Sequence, residues 1–353
     1  MSEGSVYQRA DGRWCAKYKD ATGMWRYLYR KSKGEAKQSL RAALKDRDEG
    51  IIPPSKMTVS ALLDEWMEDT KGTVSHRTWL NREGFMRLHI KPNIGARKLA
   101  KLTVDDARRM YRRKLSEGMS TSSVKRIHEL INQALSYAVR SKYINANPLN
   151  DVGAPKVTHQ EMNIFTVEQV RRLLDTVRGH RWECVFVLGA MLGLRSGEAL
   201  ALRWEDVDLA AETIQIRRTV WKYRTSAPKT PSSRRRLKLP QRALEALTRL
   251  SESSGNPSEG CWCFPTKNGN PTSPESFHTW GWKPTLRKAG LPDLRYHDLR
   301  HGAASLLINQ GVPIPVVSKY LGHSNAGVTM RVYAHMIDGT GGVAARGIDE
   351  ALG

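Results

Sequence analysis

Two proline-bearing breaks constrain what this chain can fold into. EGIIPPSKMT (49–58) and NANPLNDVGAPKVTHQEMNIF (145–165) interrupt the hydrophobic periodicity with Pro, Gly and Asn, residues that helix and strand interiors reject. Three segments remain, 1–54, 57–150 and 160–353, and each carries a different pattern. The expectation is a multidomain protein without one continuous core.

The first segment alternates with period two. In RWCAKYKDATGMWRYLYR (13–30), Trp14, Ala16 and Tyr18 alternate with Cys15, Lys17 and Lys19. After the DATG turn, Trp25, Tyr27 and Tyr29 alternate with Arg26, Leu28 and Arg30. This predicts a small three-stranded sheet over 5–30, one aromatic face packed on a helix and the cations facing outward. The helix follows at about 33–48, where Ser32 and Glu35 have capping-box spacing and Ala36, Leu40, Ala43 and Leu44 share a face. A ribbon bearing Arg13, Lys17, Arg26 and Arg30 has the width of a DNA major groove, which makes these four candidate DNA contacts.

The second segment reads as all-α. TVSALLDEWMEDT places Ala61, Leu62, Trp66 and Met67 at helical spacing, a second helix covers about 75–89, and KPNIG is expected to break it. Thr103 and Asp106 form a cap-like pair ahead of a basic face at Arg108, Arg109, Arg112 and Arg113, further candidate phosphate contacts. The longest helix, about 121–141, should bury Val124, Ile127, Ile131, Leu135 and Ala138. In the third segment a Thr166/Gln169 capping box precedes VRRLLDTV, and the apolar CVFVLGAMLGL runs into a tight junction at Gly193. Strands are expected at 212–220 and 235–239, flanking the polar turn KYRTSAPKTPSSRR, with helices again from 240 and a Gly/Pro/Ser-rich loop at 251–274.

Charge narrows the partner. Lys and Arg number 57 against 35 Asp and Glu, a formal net charge of +22. Residues 1–56 hold 13 cations against 7 anions, 57–155 hold 17 against 10, and the rest 27 against 18, so the excess is no mere tail. A field spread over the whole chain suits an extended polyanion, and duplex DNA carries about one charge per 1.7 Å of axis. The opening MSEGSVYQRADGRW has no apolar h-region and no apolar run reaches transmembrane length, so neither secretion nor a membrane is expected. Cys15, Cys184, Cys261 and Cys263 lack metal-ligand spacing; reduced thiols in a cytoplasmic protein, with no metal and no cofactor, are the expectation.

Four pieces of the third segment carry chemistry: GLRSGEALAL (193–202), PKTPSSRR (228–235), HDLRHGAAS (297–305) and YLGHSNAGVTMRVYAH (320–335). His297 and Arg300 stand three residues apart at a helix start, where both can face one anion with help from the amide dipoles. Arg195 and Arg300 suit the non-bridging oxygens of a phosphate, because a planar guanidinium donates two parallel charge-assisted hydrogen bonds. A phenol at Tyr333, with an ordinary pKa of about 10, becomes a competent nucleophile beside such positive charge.

In order, spacing and flanking residues, including LGHS and VYAH, these four boxes resemble the catalytic boxes of the tyrosine recombinases, the phage-type integrase family. The resemblance spans nearly the entire chain. It implies an arm-type DNA-binding domain over 1–54 (sheet plus helix), a helical SAM-like core-binding domain over 57–150, and a mainly α catalytic domain with a small antiparallel sheet over 160–353. It implies that Tyr333 attacks a backbone phosphate held by Arg195 and Arg300, while His297 shares proton traffic with it. His323 would hydrogen-bond a phosphate oxygen, Lys229 would protonate the leaving 5′ oxygen, and Glu198 would orient the basic cluster. Lys222 and Lys238 lie near Lys229, and the PKT context favours the latter. His301 is read as structural.

The activity implied is site-specific DNA recombination through a 3′-phosphotyrosine intermediate, without metal or ATP, integrating or excising a phage or mobile element. The implied partners are double-stranded DNA at core and arm attachment sites and a homotetramer on a Holliday junction, in a bacterial host's cytoplasm. Whether a host DNA-bending protein or an excision factor takes part stays open, as does whether the tail 334–353 docks on a neighbouring protomer or on its own. A type IB topoisomerase would share the tyrosine chemistry, and a non-catalytic DNA-binding regulator would share the charge.

Overall fold

The computed structural model describes residues 4–19, 25–48, 57–150, 153–156, 165–228, 230–323, 325, 327, 330, 349 and 350. The chain forms two compact units, Met1–Gln160 and Glu161–Gly353. In the first, strands β1 (Ser5–Gln8), β2 (Trp14–Lys19) and β3 (Trp25–Arg30) pair antiparallel in that order, and helix α1 (Lys33–Asp48) follows. Register decides the faces: Ala16 pairs with Leu28 and Trp14 with Arg30, whereas Cys15 pairs with Tyr29, Lys17 with Tyr27 and Lys19 with Trp25. Residues two apart share a face. The Trp14/Ala16/Leu28 face takes α1, with Ala16 and Ala36 fully buried and Arg30 Nε donating to Ser39 Oγ at 2.8 Å.

That register corrects the expected aromatic packing. Trp25, Tyr27 and Tyr29 turn away from the helix and stay exposed, joined by Tyr7. Cations lie over these rings: Lys17 Nζ sits 4.1 Å from the Trp25 centroid, and Arg9 and Arg13 sit 5.0 and 5.6 Å from Tyr29. Of the four cations singled out here, Lys17 stands on this open face and Arg13 beside it, whereas Arg26 and Arg30 lie on the helix side.

The helical part comprises α2 (Val59–Asp69), α3 (His76–Phe85), α4 (Lys91–Ile94), α5 (Val104–Ser116) and α6 (Thr121–Arg140). Their apolar stripes close one core, in which Leu62, Ile90, Ile127 and Ile131 are almost wholly buried. Capping is as the side chains suggest: Thr103 Oγ1 accepts from the Asp106 amide, and the Asp106 carboxylate accepts from the Thr103 amide. KPNIG does not break the helix where expected. A π-turn at Met86–Ile90 joins α3 to α4, with the Lys91 amide donating to the Met86 carbonyl, so Pro92 falls at the start of a fresh segment where no amide hydrogen is needed. The same device recurs at His278–Trp282 ahead of Pro284, which explains how WGWKP can lie inside a helical run.

In the second unit, α7 (Val167–Thr176) leads to the buried α8 (Glu183–Leu192) and the short α9 (Ser196–Ala199). β4 (Val207–Asp208), β5 (Thr213–Ile216) and β8 (Arg235–Lys238) form one antiparallel sheet, and β6 (Thr219–Trp221) with β7 (Arg224–Ser226) a separate hairpin. The single strand expected over 212–220 is therefore two. The chain leaves the ladder at Arg218, whose guanidinium bonds Glu205 at 2.6 Å and buried Asp206 at 2.7 Å, and the presumed polar turn supplies β7. Helices α10 (Gln241–Ser253), α11 (Pro274–Phe277), α12 (Lys283–Lys288), α13 (Tyr296–Asn309) and α14 (Ile314–Leu321) complete the unit. Its core holds a cluster of rings: Phe186 stacks on Trp282 at 5.3 Å, with Phe277 and Tyr296 edge-on. Among the described residues no helix is long and apolar enough to cross a membrane.

Candidate active site

Helix ends build the site. α8 stops at Gly193, whose left-handed φ of +61° suits glycine, and where a Cβ would come 2.5 Å from Leu321. The turn delivers Arg195 to the first position before α9. Glu198, one turn on, accepts from the Arg195 amide at 3.2 Å and from Arg195 Nη1 at 2.7 Å, so one edge of the guanidinium is fixed while the rest stays partly open.

α13 begins with a second such box, in which Asp298 accepts from the Arg295 amide at 2.7 Å and pairs with its guanidinium. Tyr296 pins this helix to α8 by donating to the Val185 carbonyl at 2.8 Å, and burial drives its phenol well above the ordinary range. With that end fixed, His297 comes to the surface, and Arg300 lies buried with Nη1 donating to the Gly193 carbonyl at 2.8 Å. α14 ends in a Schellman turn: Gly322 is left-handed and the His323 amide donates to the Ser318 carbonyl at 3.0 Å, which sets the direction of His323.

Electrostatics ties these pieces together. Crowding against the protein lowers the His297 imidazole to about 4, aided by His301, Arg300 and Arg195. Burial likewise lowers His323 to about 4, with Arg300, Arg195 and His297 adding to it. His301 meets His297 edge-on at 4.9 Å, so it belongs to the cluster as well as to the packing. Burial alone would raise the Glu198 carboxyl, yet Arg235, Arg195 and Arg300 outweigh it and hold the group below its usual range. The charges of Arg195 and Arg300 thus reach both neutral imidazoles, one shared electrostatic neighbourhood, and the buried Glu198 carboxylate pairs with Arg195 and Arg235. An anion entering there would reverse the histidine shifts.

The histidines supply a pH prediction. Free in solution, the folded chain binds those protons only near pH 4, whereas the unfolded chain binds them near 6.5. Stability contributed by the two groups is therefore complete above about pH 6.5 and declines as pH falls through the window toward 4. Histidine-resolved NMR titration should find both imidazoles neutral at pH 6 and should find both pKa values raised when a DNA duplex is bound. Unshifted values near 6.5 without DNA would contradict the geometry.

Arg195, His297, Arg300, His323 and Glu198 are thus brought together. Lys229 and Tyr333 lie outside the described residues, as does the tail beyond Met330 except Asp349 and Glu350. The candidate phosphate contacts on α5 are all exposed, though Arg109 pairs with Asp106 and Arg113 with Glu117. Among the described residues no group of three or more His, Cys, Asp or Glu side chains could hold a metal ion. The residue that sequence reasoning missed is Arg235, which reaches Glu198 from β8 at 3.2 Å. It hides in a run of three arginines, and only its shared face with buried Leu237 distinguishes it.

Known proteins agree with this architecture. The pattern of the "Phage integrase family" matches residues 163–339, and that of the "Phage integrase, N-terminal SAM-like domain" matches 58–116. A "Tyrosine recombinase XerC-like" protein of Caldanaerobacter subterraneus is 28% identical over 343 residues, covering 88% of this chain and 88% of its own. An "Integrase" of Streptomyces ambofaciens is 28% identical over 329 residues, covering 87% and 84%. Among solved structures, the Tn1549 transposon integrase in complex with a circular intermediate DNA superposes with a TM-score of 0.71 at 22% identity, covering 84% of this chain and all of that one. A lambda integrase tetramer bound to a Holliday junction gives 0.66 at 17% identity, covering 93% and 94%. The fold is that of the tyrosine recombinase integrases, and the chain belongs to the phage integrase family.

Proposed function

We propose that this chain is a site-specific DNA recombinase that integrates or excises a phage or mobile element by breaking and rejoining DNA through a tyrosine. The observation that carries the reading is the electrostatic coupling of Arg195 and Arg300 to both His297 and His323, with the buried Glu198 paired to Arg195. A phosphodiester is the anion that this arrangement fits. The guanidiniums donate to its non-bridging oxygens and grip more strongly as charge builds on the five-coordinate phosphorus. His297, neutral at pH 7, accepts the Tyr333 proton as the phenolic oxygen attacks; His323 donates to a phosphate oxygen. The P–O5′ bond breaks, Lys229 supplies the leaving oxygen with a proton, and the chain is joined to the 3′ phosphate. A 5′ hydroxyl from another strand then reverses each step, so no outside energy source is consumed.

The open aromatic–cationic face of the N-terminal sheet, with Lys17 on it and Arg13 beside it, and the α5 arginines Arg108, Arg109, Arg112 and Arg113 supply further duplex contacts in this proposal. Tetramer assembly on a junction belongs to it too. Incubating the protein with paired attachment duplexes in EDTA tests the reading. Recombinant product should form at an undiminished rate. Relaxation of supercoils without exchange would instead mark a topoisomerase, and binding without any covalent chemistry a regulator.

A further inference from the structure

Arg235 occupies a place that the reaction scheme above does not use. Its side chain is 6% exposed, and each of its three nitrogens donates to a different segment. Nη2 reaches the Glu198 carboxylate at 3.2 Å, Nε the Tyr320 carbonyl at 2.8 Å, and Nη1 the Ser233 carbonyl at 3.0 Å. Glu198 holds Arg195. Tyr320 lies in the last turn of α14, three residues before His323. Ser233 closes the turn that follows Lys229, its amide donating to the Thr230 carbonyl at 3.0 Å. One guanidinium therefore joins three of the four sequence boxes.

The fit is close. A Cβ on Gly322 would come 2.8 Å from Arg235 Nη1 and 3.2 Å from its central carbon. Gly322 is thus required twice, for its left-handed φ of +71° and for the space that the guanidinium fills. The bond to Tyr320 satisfies a carbonyl that the helix end would otherwise leave unpaired, and a cation at a helix C-terminus is favoured by the dipole. A lysine keeps the charge and loses the planar fork that makes three divergent bonds possible.

We propose that Arg235 is a positioning residue for DNA cleavage, one that sets His323, the Glu198–Arg195 pair and the turn at 230–233 in mutual register. It touches no reacting atom. The inference rests on the recombinase reading for its rate readout and on the geometry and burial of His323 for its spectroscopic one.

The test uses full-length Arg235→Lys, with Gly322→Ala as a second route to the same disturbance should the lysine variant fold poorly. Two quantities are read. Covalent capture of a nicked duplex should slow by about 100-fold, the effect expected when a reacting group is misplaced by an ångström, while duplex affinity stays within about threefold. In the DNA-free protein the His323 resonance should titrate nearer 6.5 than in the wild type, with His301 little moved. Wild-type rate together with an unaltered His323 titration in Arg235→Lys would overturn the proposal. If the wild type captures no DNA, the recombinase reading fails, and the histidine titration still decides whether Arg235 places His323.

Discussion

Tyr333→Phe is expected to abolish covalent capture of DNA, a loss of at least about 10,000-fold, while leaving duplex affinity within a few-fold of the wild type. Removing one oxygen deletes the only bond that the scheme forms between protein and phosphorus, and losing a nucleophile costs more than losing any group that assists it. Affinity survives because it comes from many phosphate contacts distributed over a chain of net charge +22, none of which the phenol supplies. Gel-resolved complexes on a nicked substrate, before and after denaturation, separate the two quantities. A phenylalanine variant that still yields a denaturation-resistant complex would contradict the assignment.

The second large effect belongs to Arg300. It is 1% exposed, held by the Gly193 carbonyl at 2.8 Å, and its charge reaches His297, His323 and Glu198. Arg300→Lys should lower the capture rate about 100- to 1000-fold, the range seen when one preorganised donor to a developing charge is lost. Arg300→Ala should lose more. It also unpairs the Gly193 carbonyl and opens a void beside Gly193, so its melting temperature should fall, whereas that of the lysine variant should move less. Salt dependence gives a further check. If Arg300 contacts one phosphate, the slope of log affinity against log salt should become shallower by about 0.9 in the alanine variant. An unchanged capture rate in both variants would remove Arg300 from the reaction.

What the sequence made legible follows the range of each interaction. The Thr103/Asp106 and Thr166/Gln169 caps join residues three apart, and both form as the spacing implies. His297 and Arg300 were legible for the same reason, since a helix start places them together before any tertiary contact exists. Arg235 was not: two of its three partners lie 37 and 85 residues away, and nothing local separates a buried guanidinium from the two exposed-looking arginines beside it. The sheet's faces were half legible. Alternation told which residues share a side, but the pairing of Tyr27 with Lys17, and hence which rings stay open, depends on register. Pro92 misled because a proline ordinarily ends a helix, and the π-turn that absorbs it has no sequence signature of its own.

The claim beneath all of this is that a phenolic oxygen at position 333 takes over a DNA phosphate that Arg195 and Arg300 hold. Its most direct measurement is the trapped complex itself, digested with protease and nuclease and sequenced by mass spectrometry. The account predicts a nucleotide 3′-phosphate esterified to Tyr333 in the peptide VYAHMIDGTGGVAAR. An adduct on any other side chain, or cleaved DNA with no protein attached to its 3′ end, would contradict it.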